Sequence, residues 1–524
     1  MVAHHTHVYR KVVREIAKAT VKPRSARNKD IASNFRALFA QSGPPEDAQR
    51  FQHEMQNALT FLRSQREYKA LLERYNPLID LTGEERIEAT ARRVGLNMPK
   101  LHDSRDTYLL KFSLKKSSQI QGTMAAATQV LACDSTSIAF PSDDQVAISS
   151  PETLAALRTA ASCLKDLLPV AFPTETVYGL GAIALNATAA LKIFSTKGRP
   201  ADNPLIVHVS SRRMLQTLLP QNYALSRSYE LLMEHFWPGP LTLLFPCDHS
   251  LIPDIITAGQ STVAIRIPSH PVARALIAVT DAPLAAPSAN SSGKPSPTRA
   301  EHVLNDLNGK ITLILDGGPC EVGLESTVVD GLHEDGNIRI LRPGGITVED
   351  IKRVLVNGFS DVDTPIPQVL VHRRDFHDDA LEQAPTTPGM KYRHYSPSVP
   401  VTLMHISGAP LGIEPLSTSA FLEDLKRSMP HSSDTLRVGL LMPSDSILMK
   451  SLISDTSIQW HEFPLGLFSE PAIIARRLFD GLLTLEREGV DLILVEEIPE
   501  EKEGLAIMNR VKKAAGSSQW ITIP

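Results

Sequence analysis

The chain has 524 residues, 42% of them hydrophobic and 21% charged, with a formal net charge of −4 at pH 7. That length supports two to four domains with sizeable cores, and the composition is that of a globular protein. A charge so near neutral excludes a protein coated throughout in basic residues for nucleic acid, while allowing a local basic groove, and no apolar run approaches a membrane span. Four cysteines, Cys133, Cys163, Cys247 and Cys320, lie far apart without a C-x-x-C pair. They suggest neither a zinc ribbon nor a disulfide framework and fit a reducing compartment. The N-terminus has no secretory hydrophobic region.

Residues 1–101 read as charged and helical. Met1–Lys100 holds 18 Lys and Arg against 11 Asp and Glu. Apolar residues recur at helical spacing in Val8–Thr20, Asp30–Gln41 and Pro45–Tyr75. The spacing predicts an all-α three-helix bundle around one apolar seam. Val8-Tyr9-Arg10 at the start of the first helix and Val94–Pro99 at the end resemble the LYR-type mitochondrial assembly factors, in the branch that assists the catalytic sector of ATP synthase. Val8 stands where that family has leucine, so binding of acyl carrier protein stays open. A bundle with no retained task is the alternative. His4, His5 and His7 read as a solvated terminus rather than a metal site.

Residues 102–150 are rich in Ser, Thr, Gln, Ala and Asp, with poor periodicity. Lys111–Gly122 reads as linker, and Met124 reads as the start of an independent sequence. The chain is then a head-to-tail fusion of two proteins or of two merged gene models.

From Pro151 the pattern changes. Helical spacing in Pro151–Leu168, Ala187–Thr196, Leu225–Phe236, Pro271–Val279 and Ala300–Leu307 alternates with short apolar runs. Those runs are Val170–Phe172, Leu205–Val209, Leu241–Phe245, Val263–Ile267, Thr312–Asp316, Thr327–Val329 and Ile338–Leu341. The alternation predicts an α/β domain over 151–354 with a twisted mixed sheet, with Pro173–Gly181 read as a loop. Phe236–Pro240 (FWPGP) reads as a helix stop and core wedge. No G-x-x-x-x-G-K-[ST] occurs, and Tyr178–Gly181 has only two spaced glycines, so both common nucleotide fingerprints are absent. Lys197 and Arg199 flank Gly198 just past a helical pattern that Pro200 and Pro204 stop. A helix end, a stiff cationic loop and a strand suit gripping a polyphosphate; a solvated loop is the alternative. The loops are rich in Lys, Arg, Ser, Thr and Asn and lack a Ser-His-Asp order, a Cys nucleophile or a carboxylate pair. Such a set handles phosphate by positioning and electrostatics.

Four segments follow one another: Phe172–Gly181 (FPTETVYGLG), Lys197–His208 (KGRPADNPLIVH), Ala286–Thr298 (APSANSSGKPSPT) and Leu315–Asp330 with LDGGP and ESTVVD. The ordered set resembles the YrdC-type threonylcarbamoyl-AMP synthases, in the long form with an extra C-terminal domain. That resemblance implies an enzyme that carboxylates L-threonine with bicarbonate and joins the carbamate to the α-phosphorus of ATP. Pyrophosphate is released. It places Thr176, His208, Arg266, Ala286 and Ser326 at threonine, and Arg199, Asn203, Thr262, Ser288, Ser296, Arg342 and Tyr395 at ATP. Lys197 and Arg199 are the expected catalytic cations, on a polar loop. Cys320 is expected to be inert packing. Magnesium is expected with the nucleotide, though no residue motif marks a metal site.

Residues 355–398 read as linker, with Thr387–Pro397 (TPGMKYRHYSP) resembling the family's lid over the nucleotide. Residues 399–524 predict a small Rossmann-like α/β domain. Its strands are Val401–Ile406, Val438–Met442, Ile458–Phe463 and Leu492–Val495, and its helices Ser417–Met429, Pro471–Glu488 and Gly504–Ala515. Arg510, Lys512 and Lys513 read as a solvated helix face, with RNA binding as the alternative. The resemblance further implies a downstream transferase that modifies tRNA beside the anticodon, and weak tRNA or double-stranded RNA binding. The expected location is the cytoplasm, with mitochondria as a second site. The competing reading is an RNA-binding module with a basic groove and no catalysis.

Overall fold

The chain divides into two compact units, Met1–Gln119 and Ile120–Pro524. The computed structural model describes residues 127–523, apart from 361–364, 377, 379–385, 388–393, 407, 411 and 429–434. The three-helix bundle expected over 1–101 lies outside the described residues.

The first domain is built on an eleven-stranded mixed sheet. In chain order its strands are β1 (Gln129–Ala132), β4 (Val170–Phe172), β5 (Gly179–Ile183), β6 (Ile206–His208), β7 (Leu241–Pro246), β8 (Thr262–Arg266), β9 (Leu284–Ala285), β10 (Leu313–Asp316), β11 (Thr327–Asp330), β12 (Ile338–Arg342) and β13 (Val369–Val371). A separate antiparallel hairpin, β2 (Ile138–Ser142) and β3 (Gln145–Ile148), follows β1. Across the sheet the order is β1-β10-β4-β5-β9-β6-β8-β7-β11-β12-β13. Both faces are covered, and the strand alternation shows it. Val170, Phe172, Leu313 and Leu315 pack with helices Pro151–Lys165 and Pro271–Thr280. Ala171 and Ile314 point into the larger core on the other face.

Local chemistry fixes the helix bounds. Ser150 accepts from the amide of Thr153 and Pro151 occupies the first turn, so the first helix starts there. Helix Ala187–Lys197 is capped by Asn186 and closed by Gly198 at φ 62°. Phe236 ends its helix as expected, and Trp237 enters the core at 6% exposure. Two expectations fail. The stretch assigned to the joint contains β1, which pairs with β10 as the sheet's edge, so the domain begins before Pro151. Pro173–Gly181 is not all loop, because Gly179–Ile183 forms β5 between β4 and β9. Glycine is required there: a Cβ on Gly181 would lie 2.5 Å from the Phe172 ring.

The second domain is a fully parallel six-stranded sheet, in the order β15-β19-β14-β18-β16-β17. Its strands are β14 (Val401–His405), β15 (Leu416–Ser417), β16 (Arg437–Met442), β17 (Gln459–Pro464), β18 (Leu492–Glu496) and β19 (Ser517–Thr522). Helices Thr418–Ser428, Pro471–Glu488 and Glu503–Ala514 cover it, which is the Rossmann-like arrangement expected. Its core is continuous with the first domain, since Val177, Leu324 and Tyr395 pack into the cluster around Ile474, Leu478 and Phe479.

Candidate functional site

Three loops leave the strand ends of the first domain and converge on one cavity. It is lined by Thr174, Thr176, Val177, Gly179, Arg199, Ile206, His208, Arg266, Ala286, Pro287, Ser288, Asn290, Lys294, Ser296, Glu325, Ser326, Arg342, His394 and Tyr395. Ten of the residues singled out in the sequence are therefore brought together: Thr176, Arg199, His208, Arg266, Ala286, Ser288, Ser296, Ser326, Arg342 and Tyr395. Lys197, Asn203 and Thr262 do not line it.

One half of the cavity is organised by Arg266. Strands β6 and β8 run parallel with His208 opposite Arg266. Arg266 donates through Nε to His208 Nε2 (3.0 Å), through Nη1 to Glu175 Oε1 (3.0 Å) and through Nη2 to Thr176 Oγ1 (3.1 Å). The second oxygen of Glu175 accepts from the amide of Ser269 (3.1 Å). Because His208 Nε2 accepts, its proton sits on Nδ1, which donates to the carbonyl of Ile206 (3.1 Å). Burial and then the Arg266 charge hold the imidazole well below its usual value, so it is neutral. Thr174 gives its one hydroxyl hydrogen to the carbonyl of Val177 (2.6 Å), so Thr176 must donate to Thr174 (2.7 Å) and accept from Arg266. A guanidinium has five N–H groups. These contacts use three and leave one on each terminal nitrogen, the pair that a carboxylate accepts side by side. Both nitrogens of His208 are engaged within the protein, so it acts on this half by orienting Arg266. The amide of Ala286 is likewise taken, by the carbonyl of Ile206 (3.0 Å).

The other half is cationic. Arg199 donates to the carbonyls of Asn203 (3.1 Å) and Pro204 (2.8 Å). Arg342 donates to the carbonyl (2.9 Å) and hydroxyl (3.2 Å) of Ser326, whose Oγ also lies 2.7 Å from Thr242 Oγ1. Burial, and then the neighbouring Arg342, pull the Arg199 guanidinium down to about 9. Among the described residues the bonds of Lys197 and Arg199 go to main-chain carbonyls and not to carboxylates. Carbonyl dipoles solvate these cations without cancelling their charge, which makes a receptor for a polyanion. Ser296 donates to Glu325 Oε1 (2.6 Å), and Tyr395, at φ 65°, closes the cavity with its ring 5.2 Å from that of Phe479. Pro388–Arg393 of the expected lid, with Lys391 and Arg393, lie outside the described residues.

Lys197 corrects the expectation of a cation on a polar loop. It is the last residue of its helix and 3% exposed, and its Nζ donates to the carbonyls of Ser288 and Asn290. The helix runs one residue past the apolar pattern, so Lys197 falls one turn after Ile193 on the same buried face. It braces the Ser288–Asn290 loop from behind. Asn203 is 2% exposed, and neither of its side-chain polar atoms has a partner among the described residues; the same holds for Thr262 Oγ1. Arg510 overturns the reading of a solvated face: it is 1% exposed and donates to Glu325 Oε2 (3.1 Å). Cys320 is buried beside the site, and burial raises its thiol well above the usual value, which suits inert packing. Glu175 and Glu325 were missed as site residues, although each sits inside a quoted motif. The usable signal was a carboxylate among Thr and Ser, directly before a residue already assigned. No group of three or more His, Cys, Asp or Glu among the described residues is placed to hold a metal ion. Glu325, the acid that lines the cavity, is held by Arg510 and Ser296.

Comparison with known proteins finds three matching families along the chain. Residues 163–344 match a family model described as "Telomere recombination", residues 346–516 one described as "Threonylcarbamoyl-AMP synthase, C-terminal domain", and residues 6–97 one described as "Complex1_LYR-like". The chain is 42% identical over 427 residues to the threonylcarbamoyl-AMP synthase of Schizosaccharomyces pombe, covering 74% of this chain and 97% of that one. It is 40% identical to that of Bacillus subtilis, covering 71% and 95%. Among solved structures it resembles that of P. abyssi Sua5 complexed with L-threonine, with a TM-score of 0.57 and 36% identity over 76% of this chain and 100% of that one. With that identity over nearly the whole length of these relatives, the chain belongs to the threonylcarbamoyl-AMP synthase family of enzymes.

Proposed function

We propose that this cavity makes L-threonylcarbamoyladenylate from L-threonine, bicarbonate and ATP. The observation that carries the reading is the cavity's two halves: a fixed guanidinium with two N–H groups to give, opposite the buried Arg199, whose hydrogen bonds among the described residues go to carbonyls. Threonine's carboxylate docks on Arg266, which leaves its amine free to take up bicarbonate as a carbamate with loss of water. A carbamate oxygen then attacks the α-phosphorus of ATP. The new O–P bond forms as the bond to the β-phosphate oxygen breaks, and pyrophosphate departs with that electron pair. Arg199 and Arg342 offset the charge that builds on the phosphates, and Lys197 keeps the loop that faces them in place. Here the protein contributes orientation and charge, and the substrate brings the nucleophile. Magnesium would come with the triphosphate, its ligands phosphate oxygens and water.

The product is a mixed anhydride, so its use is transfer of the threonylcarbamoyl group, and the acceptor we propose is an adenosine of tRNA beside the anticodon. For residues 6–97 we propose the assembly role of the LYR-like proteins, which would bring the chain to mitochondria as well as the cytoplasm. The test of the synthase reading is pyrophosphate release by the full chain with ATP, bicarbonate and threonine. Release that is unchanged when threonine is left out refutes it.

A further inference from the structure

Arg510 belongs to helix Glu503–Ala514 of the second domain, yet it bonds to the first domain as well as to its own helix. Its Nε donates to Glu325 Oε2 at 3.1 Å, and its Nη1 to the carbonyls of Pro343 and, within its own helix, Ala506 at 3.4 Å. The guanidinium carbon lies 5.8 Å from the centre of the Tyr395 ring. The contacts with Glu325, Pro343 and Tyr395 adjoin the nucleotide half of the cavity. Glu325 is the acceptor for the Ser296 hydroxyl. Pro343 directly follows Arg342, and Gly344 beyond it is packed so tightly that a Cβ would lie 2.3 Å from the carbonyl of Glu325. Tyr395 closes the roof. None of the Arg510 contacts reaches Arg266, Thr176 or His208.

The burial needs a reason. A guanidinium at 1% exposure carries a large desolvation cost. Joining the two domains does not require it, since Val177 and Leu324 already pack against the second domain's core. The charge has a visible consequence at Glu325: burial would raise that carboxyl, but Arg510 first and Arg342 next hold it below its usual value. Glu325 therefore stays an anion with one oxygen for Arg510 and the other for Ser296.

We propose that Arg510 is a positioning residue for the nucleotide half of the site: acting through Glu325, it fixes Ser296 and the approach of Tyr395, so that the second domain completes the nucleotide site. This rests on the synthase reading above. It separates the two substrates, because the bonds that hold the threonine half are all made within the first domain.

The experiment compares full-length wild type with Arg510→Met, Arg510→Lys, Glu325→Gln and the double variant Arg510→Met with Glu325→Gln. Threonine-dependent pyrophosphate release is measured while each substrate is varied. Arg510→Met is expected to raise KM for ATP about tenfold or more, the loss typical of one charged buried contact, and to leave KM for threonine within about twofold. Arg510→Lys, which keeps the charge and loses the fork, falls between wild type and Met with the same split. The double variant is no worse than Arg510→Met, because the two residues act in one line. If both KM values rise together, Arg510 holds the fold and not the nucleotide half, and the proposal fails. It fails equally if the double variant shows the product of the two single effects. Should Arg510→Met not fold, the lysine variant decides alone, and wild-type KM values there overturn the proposal. A wild type with no threonine dependence sinks the synthase reading itself, and this inference with it; an active wild type with unsplit variants sinks only the inference.

Discussion

Replacing Arg266 separates what it does for the fold from what it does for threonine. Its side chain is 2% exposed and that of Glu175 4%. Arg266→Met leaves Glu175 buried with the Ser269 amide as its remaining donor among the described residues. Breaking a buried pair from one side costs about 3–5 kcal/mol, mostly for the stranded charge. For a domain of this size that is a fall in unfolding midpoint on the order of 10 °C. Adding Glu175→Gln removes the stranded charge, so the double variant recovers much of the stability. It does not recover threonine use, because the two terminal N–H groups are still missing. The assays are thermal unfolding and the threonine dependence of pyrophosphate release, run on the same three proteins. The reasoning fails if the double variant regains threonine affinity, or if Arg266→Met unfolds at the wild-type temperature.

The other expectations are more local. Tyr395→Ala opens the roof, so the ratio of bound threonylcarbamoyl-AMP to pyrophosphate in a single turnover should fall several-fold, an open site losing its anhydride to water; an unchanged ratio leaves Tyr395 as packing against Phe479. Glu496, at the end of β18, is 2% exposed. Burial pushes its carboxyl from 4.5 up to about 7 against the pull of the Ser446 hydroxyl, with Asp445 and Glu497 adding to the rise. Between those values the folded form keeps a proton that the unfolded chain has released, so stability falls as pH rises through that window. Glu496→Gln should then gain on wild type by up to about 3 kcal/mol at pH 8 and by nothing at pH 4; a difference in unfolding midpoint that is the same at both pH values refutes this.

Much of the site was legible because four polar segments between the apolar runs follow one another in an order that resembles a known family, and that resemblance assigned the single residues. Thr176, Ser296 and Ser326 lie in those segments, whereas Arg266 ends strand β8 inside an apolar run. The elements that escaped did so for physical reasons. Strand β5 reads Gly-Leu-Gly, since Phe172 on its neighbour leaves no room for a Cβ at Gly181, and a strand written in glycine has lost the alternation that betrays strands. Strand β1 is a four-residue edge, largely exposed, too short for periodicity. Lys197 and Arg510 were misplaced because a charged residue at the end of a helix is ordinarily solvated. Both sit on the buried face of their helices, Lys197 one turn after Ile193 and Arg510 between Ala506 and Ala514, and only their partners in distant loops explain why.

The buried cations in and beside the cavity bear on the protein's persistence as well as its chemistry. Burial and then repulsion from a neighbouring arginine, Arg199 for Lys197 and Arg342 for Arg199, push both groups toward losing their charge. An empty fold carries that repulsion as a standing load, and a bound polyphosphate relieves it. The nucleotide is then part of what keeps the chain folded. Occupancy at a hundred times the dissociation constant adds about 2.7 kcal/mol, and relief of the repulsion is contained in that affinity. A cell short of ATP would thus hold a larger share of this protein in the form that proteases cut. Limited proteolysis across a nucleotide titration reads this directly, and a digestion rate indifferent to ATP would show that the load is borne elsewhere.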